Sequence, residues 1–194
     1  MTEQCKSGAV PDDRPEAAKL KDYKFEELVA AADPVDWREK QQDQWRKFPI
    51  FNQNGSGSCV AQTEAKELGI MRWLMDGNYV HFSATDIYQR RANKPASGMN
   101  AADARAIMAK GATLEVLAPS QSMTDAQMDS AVVEPYKREV GAVFSVPNYV
   151  EVPAKDIDTV ASIIQRTKKG VMLWFYFENA EWDQWPRIVN ESLN

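Results

Sequence analysis

The stretch Asn52-Gln53-Asn54-Gly55-Ser56-Gly57-Ser58-Cys59-Val60-Ala61 is the part of the sequence that decides the fold. It is a polar loop with two glycines that ends at a cysteine, and beyond Cys59 the apolar residues recur at helical spacing. The apolar positions are Ala61, Ala65, Leu68, Met71 and Met75. We therefore predict a mostly buried helix from Cys59 to about residue 75, with Gly77-Asn78 as its stop signal.

A cysteine at the first turn of a helix faces unpaired backbone N–H groups and the positive end of the helix dipole, which favour the thiolate. Gly55 and Gly57 allow the loop before Cys59 to turn sharply and leave the sulfur open to a substrate. The nearby N–H groups, together with the side-chain amide of Gln53, are suited to hold an oxyanion. The local composition also fits a small, buried and unreactive cysteine, so both interpretations stay open at this point.

Two further helices and three strands are predicted later in the chain. The helices are expected over residues 101–110, closed by Gly111, and over about 155–169, closed by Gly170. Three runs accumulate β-branched and aromatic residues between turn signals and predict strands. These runs are residues 142–146, 149–152 and 171–177.

The stretch around Cys59 resembles the nucleophile motif of papain-like cysteine peptidases, in which the residues run Asn-Gln-Gly-Ser-Cys-Gly-Ser-Cys-Trp-Ala. Upstream, Pro34-Val35-Asp36-Trp37-Arg38 resembles the start of the mature domain in that family. By this resemblance Cys59 corresponds to the catalytic cysteine and Gln53 to the oxyanion-hole glutamine. Gly57 and Ser58 correspond to the pair that precedes the nucleophile and are expected to bind substrate.

The resemblance continues in consistent order along the chain. Phe82-Ser83-Ala84-Thr85-Asp86-Ile87-Tyr88 resembles the segment that follows the family's central helix. Gly98-Met99-Asn100-Ala101-Ala102 resembles the family's Gly-Cys-Asn-Gly-Gly stretch, part of which lines the non-primed subsites. Asn100 and Ala101 are therefore expected to contact substrate. Tyr149-Val150-Glu151-Val152-Pro153 and Gly170-Val171-Met172-Leu173 resemble the start of the right lobe.

The resemblance implies an α+β fold of the papain-like two-lobe type, with a complete helical left lobe and an incomplete β right lobe. Residues 34–194 would form the papain-like domain, with the left lobe over about 34–140 and the start of the right lobe over about 141–194. Residues 1–33 are a charged N-terminal extension or a short pro-like segment.

The sequence departs from the family pattern at several positions that bear on the site. Ser56 and Met99 stand where the family commonly has two paired cysteines, and the loss of that disulfide suits a reducing compartment. Val60 replaces the aromatic residue after the nucleophile. Ala101 and Ala102 replace two glycines, and their methyl groups would hinder the approach of a substrate backbone.

The partner of the nucleophile is the largest departure. Amide cleavage by a thiolate needs an acid to protonate the leaving amine, and in this family a histidine, oriented by an asparagine, supplies it. The family's histidine lies about 130–150 residues after the cysteine, whereas the sequence ends at Asn194. The single histidine, His81, matches a different part of the fold and is interpreted as a hydrogen-bonded structural residue near the surface.

Three explanations follow from the missing histidine. In the first, the histidine and asparagine lie beyond residue 194 and the protein is a cysteine peptidase acting on a peptide or protein substrate. In the second, the chain is a catalytically inactive papain-like structural or binding module in a larger assembly, such as a phage virion. In the third, a partner chain completes the right lobe and supplies the histidine.

The composition, with 44% hydrophobic and 26% charged residues among 194, is that of an ordinary globular protein. A formal net charge of −5 argues against a nucleic-acid-binding domain, which would carry a basic stripe. The longest strongly apolar run, residues 170–177, is too short to cross a bilayer, and the N-terminus lacks the order of a secretory signal peptide. We therefore expect no nucleic-acid partner and no membrane, and a cytoplasmic or virion-associated location.

Metal and cofactor chemistry find no support in the sequence. One histidine and two separated cysteines do not make a metal site, and no cofactor is expected. A disulfide between Cys5 and Cys59 stays open. Trp182 and Trp185 are expected to pack inward rather than to form a carbohydrate or peptide platform.

Overall fold

The computed structural model of the chain describes residues 9–10, 14–19, 48–152, 157–167 and 169–173. The described part is mainly helical, with seven helices and two short strands. In chain order these are β1 (Ala9–Val10), α1 (Glu16–Lys19), α2 (Cys59–Asp76), α3 (Ala84–Gln89), β2 (Met99–Asn100), α4 (Ala101–Met108), α5 (Asp125–Ser130), α6 (Pro135–Ala142) and α7 (Ile157–Thr167).

The central element is α2, which begins and ends where the sequence predicts. The helix starts at Cys59, directly after the glycine loop. It stops at Gly77, whose left-handed conformation (φ +77°) lets its N–H donate to the carbonyl of Trp73 at 2.8 Å. The predicted helix and its glycine stop are therefore confirmed. Its buried positions are Val60, Ala61, Gln62, Ala65, Leu68 and Gly69.

Helix α2 packs against α3, α4 and β2, and these elements share one apolar core. The largest fully buried apolar side chains are Tyr88, Phe82, Ile87, Met99 and Met128. Complete burial of a large apolar side chain stabilises a fold by about 1.5–3 kcal/mol. The core therefore fixes the position of β2, and with it the residues just before α4, relative to the start of α2.

A buried charge attaches α6 to α3. Asp86 is fully buried, and its carboxylate accepts hydrogen bonds from Arg90 at 3.1 Å and from Arg138 at 2.9 Å. The same carboxylate accepts the backbone N–H of Thr113 at 3.0 Å. Because a buried carboxylate is tolerated only when it is paired and hydrogen-bonded, these partners fix how α6 approaches α3.

The prediction of a strand over residues 142–146 is wrong. Helix α6 runs to Ala142, and the N–H of Phe144 then donates to the carbonyl of Gly141 at 3.0 Å. Gly141 lies so close to the next layer that a Cβ there would be 2.6 Å from the oxygen of Ala112. The β-branched and aromatic residues of this run are thus held in a helix end and a turn by tertiary contacts, which override local strand propensity.

The other predictions for the second half have mixed outcomes. Helix α4 confirms the helix predicted over residues 101–110, although it ends earlier, at Met108. Helix α7 lies within the helix predicted over 155–169. Residues 149–152 form no strand, although Glu151 makes an isolated bridge, and 171–173 form none either. Residues 174–177, Trp182 and Trp185 lie outside the described residues.

The described strands join the N-terminal segment to the helical lobe. β1 pairs with β2 in parallel, with Ala9 opposite Met99 and Val10 opposite Asn100. The described part is therefore α+β with few strands, and after residue 142 it contains α7 and no strand. The incomplete β right lobe and the boundary after residue 33 stay predictions. No described helix is long and apolar enough to span a membrane.

Candidate active site

Cys59 is the first residue of the 18-residue helix α2. Its side chain is half-buried and packs against the edge of the core. Cys59 forms no disulfide with any described residue, and Cys5 lies outside the described residues. The structure thus places a partly accessible thiol at the end of a long helix, where first-turn N–H groups and the helix dipole favour negative charge.

Ser58 precedes the thiol as the N-cap residue of α2, but its side chain makes no capping hydrogen bond. Its hydroxyl lies 2.6 Å from the hydroxyl of Ser56, and both serines are buried. Ser56 donates its hydroxyl hydrogen to the carbonyl of Gln53 at 2.6 Å, so Ser58 is the donor in the pair. The Ser58 hydroxyl therefore does not compete for the first-turn N–H groups beside Cys59.

Gln53 is held within the same loop. Its side-chain Nε2 donates to the carbonyl of Ser56 at 3.1 Å, and the N–H of Ser56 donates back to the Gln53 carbonyl at 2.9 Å. The turn between them passes through Asn54 and Gly55, both of which have positive φ. The loop is therefore a compact turn with a fixed glutamine amide, six residues before the helix starts.

Gly57 is the point where this loop contacts the second segment of the candidate site, residues 97–101. A Cβ on Gly57 would collide with the hydroxyl of Ser97 and lie 2.7 Å from the backbone nitrogen of Gly98. Only a glycine allows the two backbones to approach so closely. The structure thus brings Gly57 together with the segment that leads into Asn100 and Ala101.

Asn100 and Ala101 lie at the start of α4. The side chain of Asn100 accepts the N–H of Asp103 at 2.7 Å and so caps that helix. Met99 beside it is fully buried, whereas Asn100 and Ala101 are half-buried. The Asn100 side chain therefore has a structural use, and the contact of these two residues with substrate stays a prediction.

Sequence reasoning missed three residues that hold the loop and the second segment together, namely Tyr88, Ser97 and Asp125. Asp125 accepts the N–H of Gly57 at 2.9 Å across a separation of 68 residues. A local signal was present, because Thr124 and Gln127 form a capping box that marks the start of α5. That signal predicts the helix but not the distant partner of Asp125.

Two glutamates that follow Cys59 on α2, Glu64 and Glu67, have raised pKa values. Burial raises the pKa of Glu64 to about 7, with a smaller contribution from the negative charge of Glu67, while Arg105 opposes the shift. Burial also raises the pKa of Glu67, against a hydrogen bond from the backbone of Gly170 and the charge of Lys169. The face of α2 toward residues 169–170 therefore carries carboxyl groups that hold protons more strongly than exposed ones.

His81, the single histidine of the sequence, lies in an aromatic cluster. Its ring packs edge-to-face against Phe51 and Tyr79, with centroid separations of 5.0 and 5.6 Å. Its Nε2 is buried without a hydrogen-bond partner, so the expected hydrogen-bonded histidine is not found at this atom. Tyr79 lies against Gly69 of α2, about 15 Å along the helix from Cys59.

The described residues contain no group of three or more histidine, cysteine, aspartate or glutamate side chains placed to hold a metal ion. The site around Cys59 is thus made of a thiol, hydroxyls, amides and backbone N–H groups. Such groups are suited to nucleophilic attack and to holding an oxyanion.

No protein-family model matches the sequence, and no curated protein matches it. Among solved structures, the chain is similar to xylellain, a cysteine protease from Xylella fastidiosa, with a TM-score of 0.62 and 18% sequence identity. The similarity covers 83% of this chain and 63% of the xylellain chain. The Amb a 11 cysteine protease of ragweed pollen, in its proform, aligns with a TM-score of 0.34 at 19% identity, over 57% of this chain and 38% of that chain. The likeness to xylellain shows that this chain shares the fold of the matched part of that cysteine protease.

Proposed function

We propose that the protein is a papain-like cysteine peptidase in which the thiolate of Cys59 attacks a peptide bond of a peptide or protein substrate. The observation that carries the proposal is the half-buried thiol at the first residue of α2, behind a loop that holds the amide of Gln53 in place. The fold shared with xylellain supports the same function.

The chemistry follows from the groups at the start of α2. The Cys59 sulfur forms a bond to the substrate carbonyl carbon, and the electron pair of the carbonyl moves onto its oxygen. When this oxyanion collapses, the C–N bond breaks and the amine leaves with a proton from an acid. Water then hydrolyses the thioester. The acid is proposed to be a histidine outside these 194 residues, either beyond Asn194 or on a partner chain.

Gln53 is proposed as the side-chain donor to the oxyanion. An amide NH₂ group carries two hydrogens. In the structure Nε2 donates to the carbonyl of Ser56 at 3.1 Å, so this bond can orient the amide while the second hydrogen points to a substrate oxygen. Backbone N–H groups at the start of α2 would complete the oxyanion hole.

Residues 1–33 are proposed to act as a pro-like segment. The support is the pairing of β1 with β2, which places Ala9 and Val10 along Met99 and Asn100. β2 belongs to the stretch that resembles the substrate-lining wall of papain-like peptidases. An N-terminal segment that hydrogen-bonds to this backbone edge would compete with a substrate chain for the same edge.

The proposal is tested by the reactivity of Cys59 toward iodoacetamide in the full natural protein, with the labelled cysteine identified by mass spectrometry. Cys5 is an internal reference thiol, and Cys59→Ser is the matched control. At about pH 6 an ordinary thiol is almost wholly protonated, so we expect Cys59 to react much faster than Cys5. Equal, slow labelling of both that rises only at alkaline pH would refute the peptidase and favour the inactive structural module.

A further inference from the structure

Asp125, the first residue of α5, accepts hydrogen bonds from both sides of the candidate site. Its Oδ1 accepts the backbone N–H of Gly57 at 2.9 Å and the phenol hydroxyl of Tyr88 at 3.0 Å. Its Oδ2 accepts the hydroxyl of Ser97 at 3.0 Å. One carboxylate therefore holds the loop before the thiol and the segment before β2.

Tyr88 extends this connection to Gly98. The tyrosine is fully buried, and its hydroxyl oxygen accepts the N–H of Gly98 at 3.0 Å. A phenol has a single hydrogen, so Tyr88 must donate that hydrogen to Asp125. Asp125 thus accepts the N–H of Gly57 directly, and it is connected to Gly98 through the hydroxyl of Tyr88. The backbone N–H groups of both glycines are therefore hydrogen-bonded.

The two backbones also touch, which makes their spacing sensitive to this carboxylate. A Cβ on Gly57 would lie 2.7 Å from the nitrogen of Gly98 and 3.1 Å from the hydroxyl of Tyr88. Gly57 is two residues before Cys59, and Gly98 is two residues before Asn100. Asn100 and Ala101 are the predicted substrate-lining residues and are called the substrate wall below. A shift of either backbone would therefore change the distance between the thiol and this wall.

We propose that Asp125 is a positioning residue, which keeps the Gly57 loop and the Ser97–Gly98 segment at a fixed spacing so that Cys59 and the substrate wall stay aligned. The inference rests on the proposed function, since alignment matters only if a peptide lies along that wall. Asp125 acts through Gly57 and Gly98 and does not itself take part in bond breaking.

Two variants of Asp125 separate the effect of its hydrogen-bond geometry from the effect of its negative charge. Asp125→Ala removes every acceptor of the carboxylate. Asp125→Asn keeps an oxygen that can accept from Gly57 and Tyr88, and its NH₂ can donate to the hydroxyl oxygen of Ser97. Asp129→Ala is the matched control, because it removes a carboxylate from the same helix that binds Arg91 at 2.7 and 2.8 Å.

Two measurements on the full natural protein read out the effect. Amide hydrogen exchange, measured by NMR, reports on the N–H groups of Gly57 and Gly98. The second-order rate constants for alkylation of Cys59 by a peptidyl epoxide and by iodoacetamide separate peptide alignment from intrinsic thiol reactivity. A peptidyl probe must lie along the wall, whereas iodoacetamide need not.

In Asp125→Ala we expect faster exchange at both glycines and a fall of the peptidyl-epoxide rate constant by about 10- to 100-fold, since misplacement of about 1 Å costs that much. The iodoacetamide rate constant should change by less than about threefold, because no peptide has to be aligned. Asp125→Asn should recover most of the peptidyl rate, and Asp129→Ala should leave the ratio of the two rates near the wild-type value.

The inference is overturned if Asp125→Ala leaves the exchange of Gly57 or the peptidyl rate unchanged, or if Asp129→Ala lowers the peptidyl rate equally. It is also overturned if Asp125→Asn is as damaging as Asp125→Ala, since charge and not geometry would then be responsible. Failure of the proposed function looks different, because wild-type Cys59 would then be inert to the peptidyl epoxide. In that case the positioning role falls together with the function.

Discussion

The carboxylate of Glu67, in the middle of α2, lies directly against the backbone of Gly170. The backbone of Gly170 lowers the pKa of this carboxyl, against the larger effect of burial, which raises it. A Cβ on residue 170 would collide with Oε2 of Glu67 and lie 2.8 Å from its carboxyl carbon. The central helix α2 therefore contacts the residues that follow α7 through Glu67. Glu64 lies one turn before Glu67, and both carboxyl groups have raised pKa values.

The first prediction concerns Glu64 and pH. Its pKa is about 7 in the folded protein, against 4.5 for an ordinary glutamate, so between these pH values the folded state holds a proton that the unfolded state has lost. The contribution of Glu64 to stability is full below about pH 4.5, falls as pH rises toward 7, and is lost above 7. We expect Glu64→Gln to raise the free energy of unfolding by about 1–3 kcal/mol at pH 8 and by much less at pH 4.5.

Urea unfolding at these two pH values measures the effect. The charge of Arg105 acts on Glu64 and that of Lys169 acts on Glu67, and both cations and Glu67 are kept in the variant. The control is Glu139→Gln, because Glu139 is an exposed glutamate on α6. The same pH-dependent gain in Glu139→Gln would show that burial of Glu64 is not the cause.

The second prediction concerns the contact between Gly57 and the segment at 97–98. Gly57→Ala places a methyl group against Ser97 and Gly98, so we expect a loss of about 1–3 kcal/mol in the free energy of unfolding. Gly55→Ala is the control for glycine chemistry, because Gly55 has positive φ but no atom within 4 Å of its Cβ position. Chemical denaturation of both variants checks this. The loss in Gly55→Ala comes from its positive φ alone, whereas a loss below about 1 kcal/mol in Gly57→Ala would show that Ser97 and Gly98 give way without cost.

The third prediction concerns Gln53. Gln53→Glu keeps the size of the side chain but removes both N–H donors, so the proposed oxyanion would lose a hydrogen bond. We expect the rate of thioester formation from an activated peptidyl ester to fall by about 10²–10³-fold. Alkylation by iodoacetamide forms no oxyanion and should be little changed. Asn54→Asp, the same change at the adjacent exposed residue, is the control, and an equal fall there would exclude a specific role for Gln53.

The fourth prediction concerns the N-terminal strand. Replacing both Ala9 and Val10 with proline removes the backbone donors of β1 and should release its pairing with β2. We expect the rate of Cys59 alkylation by a peptidyl epoxide to rise by about tenfold, because a tethered segment competes at high effective concentration. Val10→Ala, which leaves the backbone intact, should not change the rate. An unchanged rate in the double proline variant would rule out a pro-like role for this strand.

The start of the site was predictable because its signals are local. A glycine loop, a cysteine and a helical apolar pattern stand next to one another in the sequence, and the structure confirms the helix that begins at Cys59. The stop at Gly77 was predictable for the same reason, since a glycine with positive φ ends a helix by itself.

The missed features depend on contacts between distant residues. Residues 142–146 have the composition of a strand, yet the packing of Gly141 against Ala112 holds the chain in a helix end. Asp125 is an ordinary first-turn aspartate in the sequence, and only the folded chain brings it to Gly57. Local propensity cannot supply information of this kind, because it is created by tertiary packing.

The hydrogen bond between Gly57 and Asp125 joins residues that are 68 positions apart. A ribosome that has just released the Cys59 region has not yet made Asp125, and closing the loop between the two residues costs conformational entropy. The surroundings of the thiol are therefore completed late in the life of each new chain. Nascent or locally unfolded chains therefore carry Cys59 before Asp125 holds the loop at Gly57.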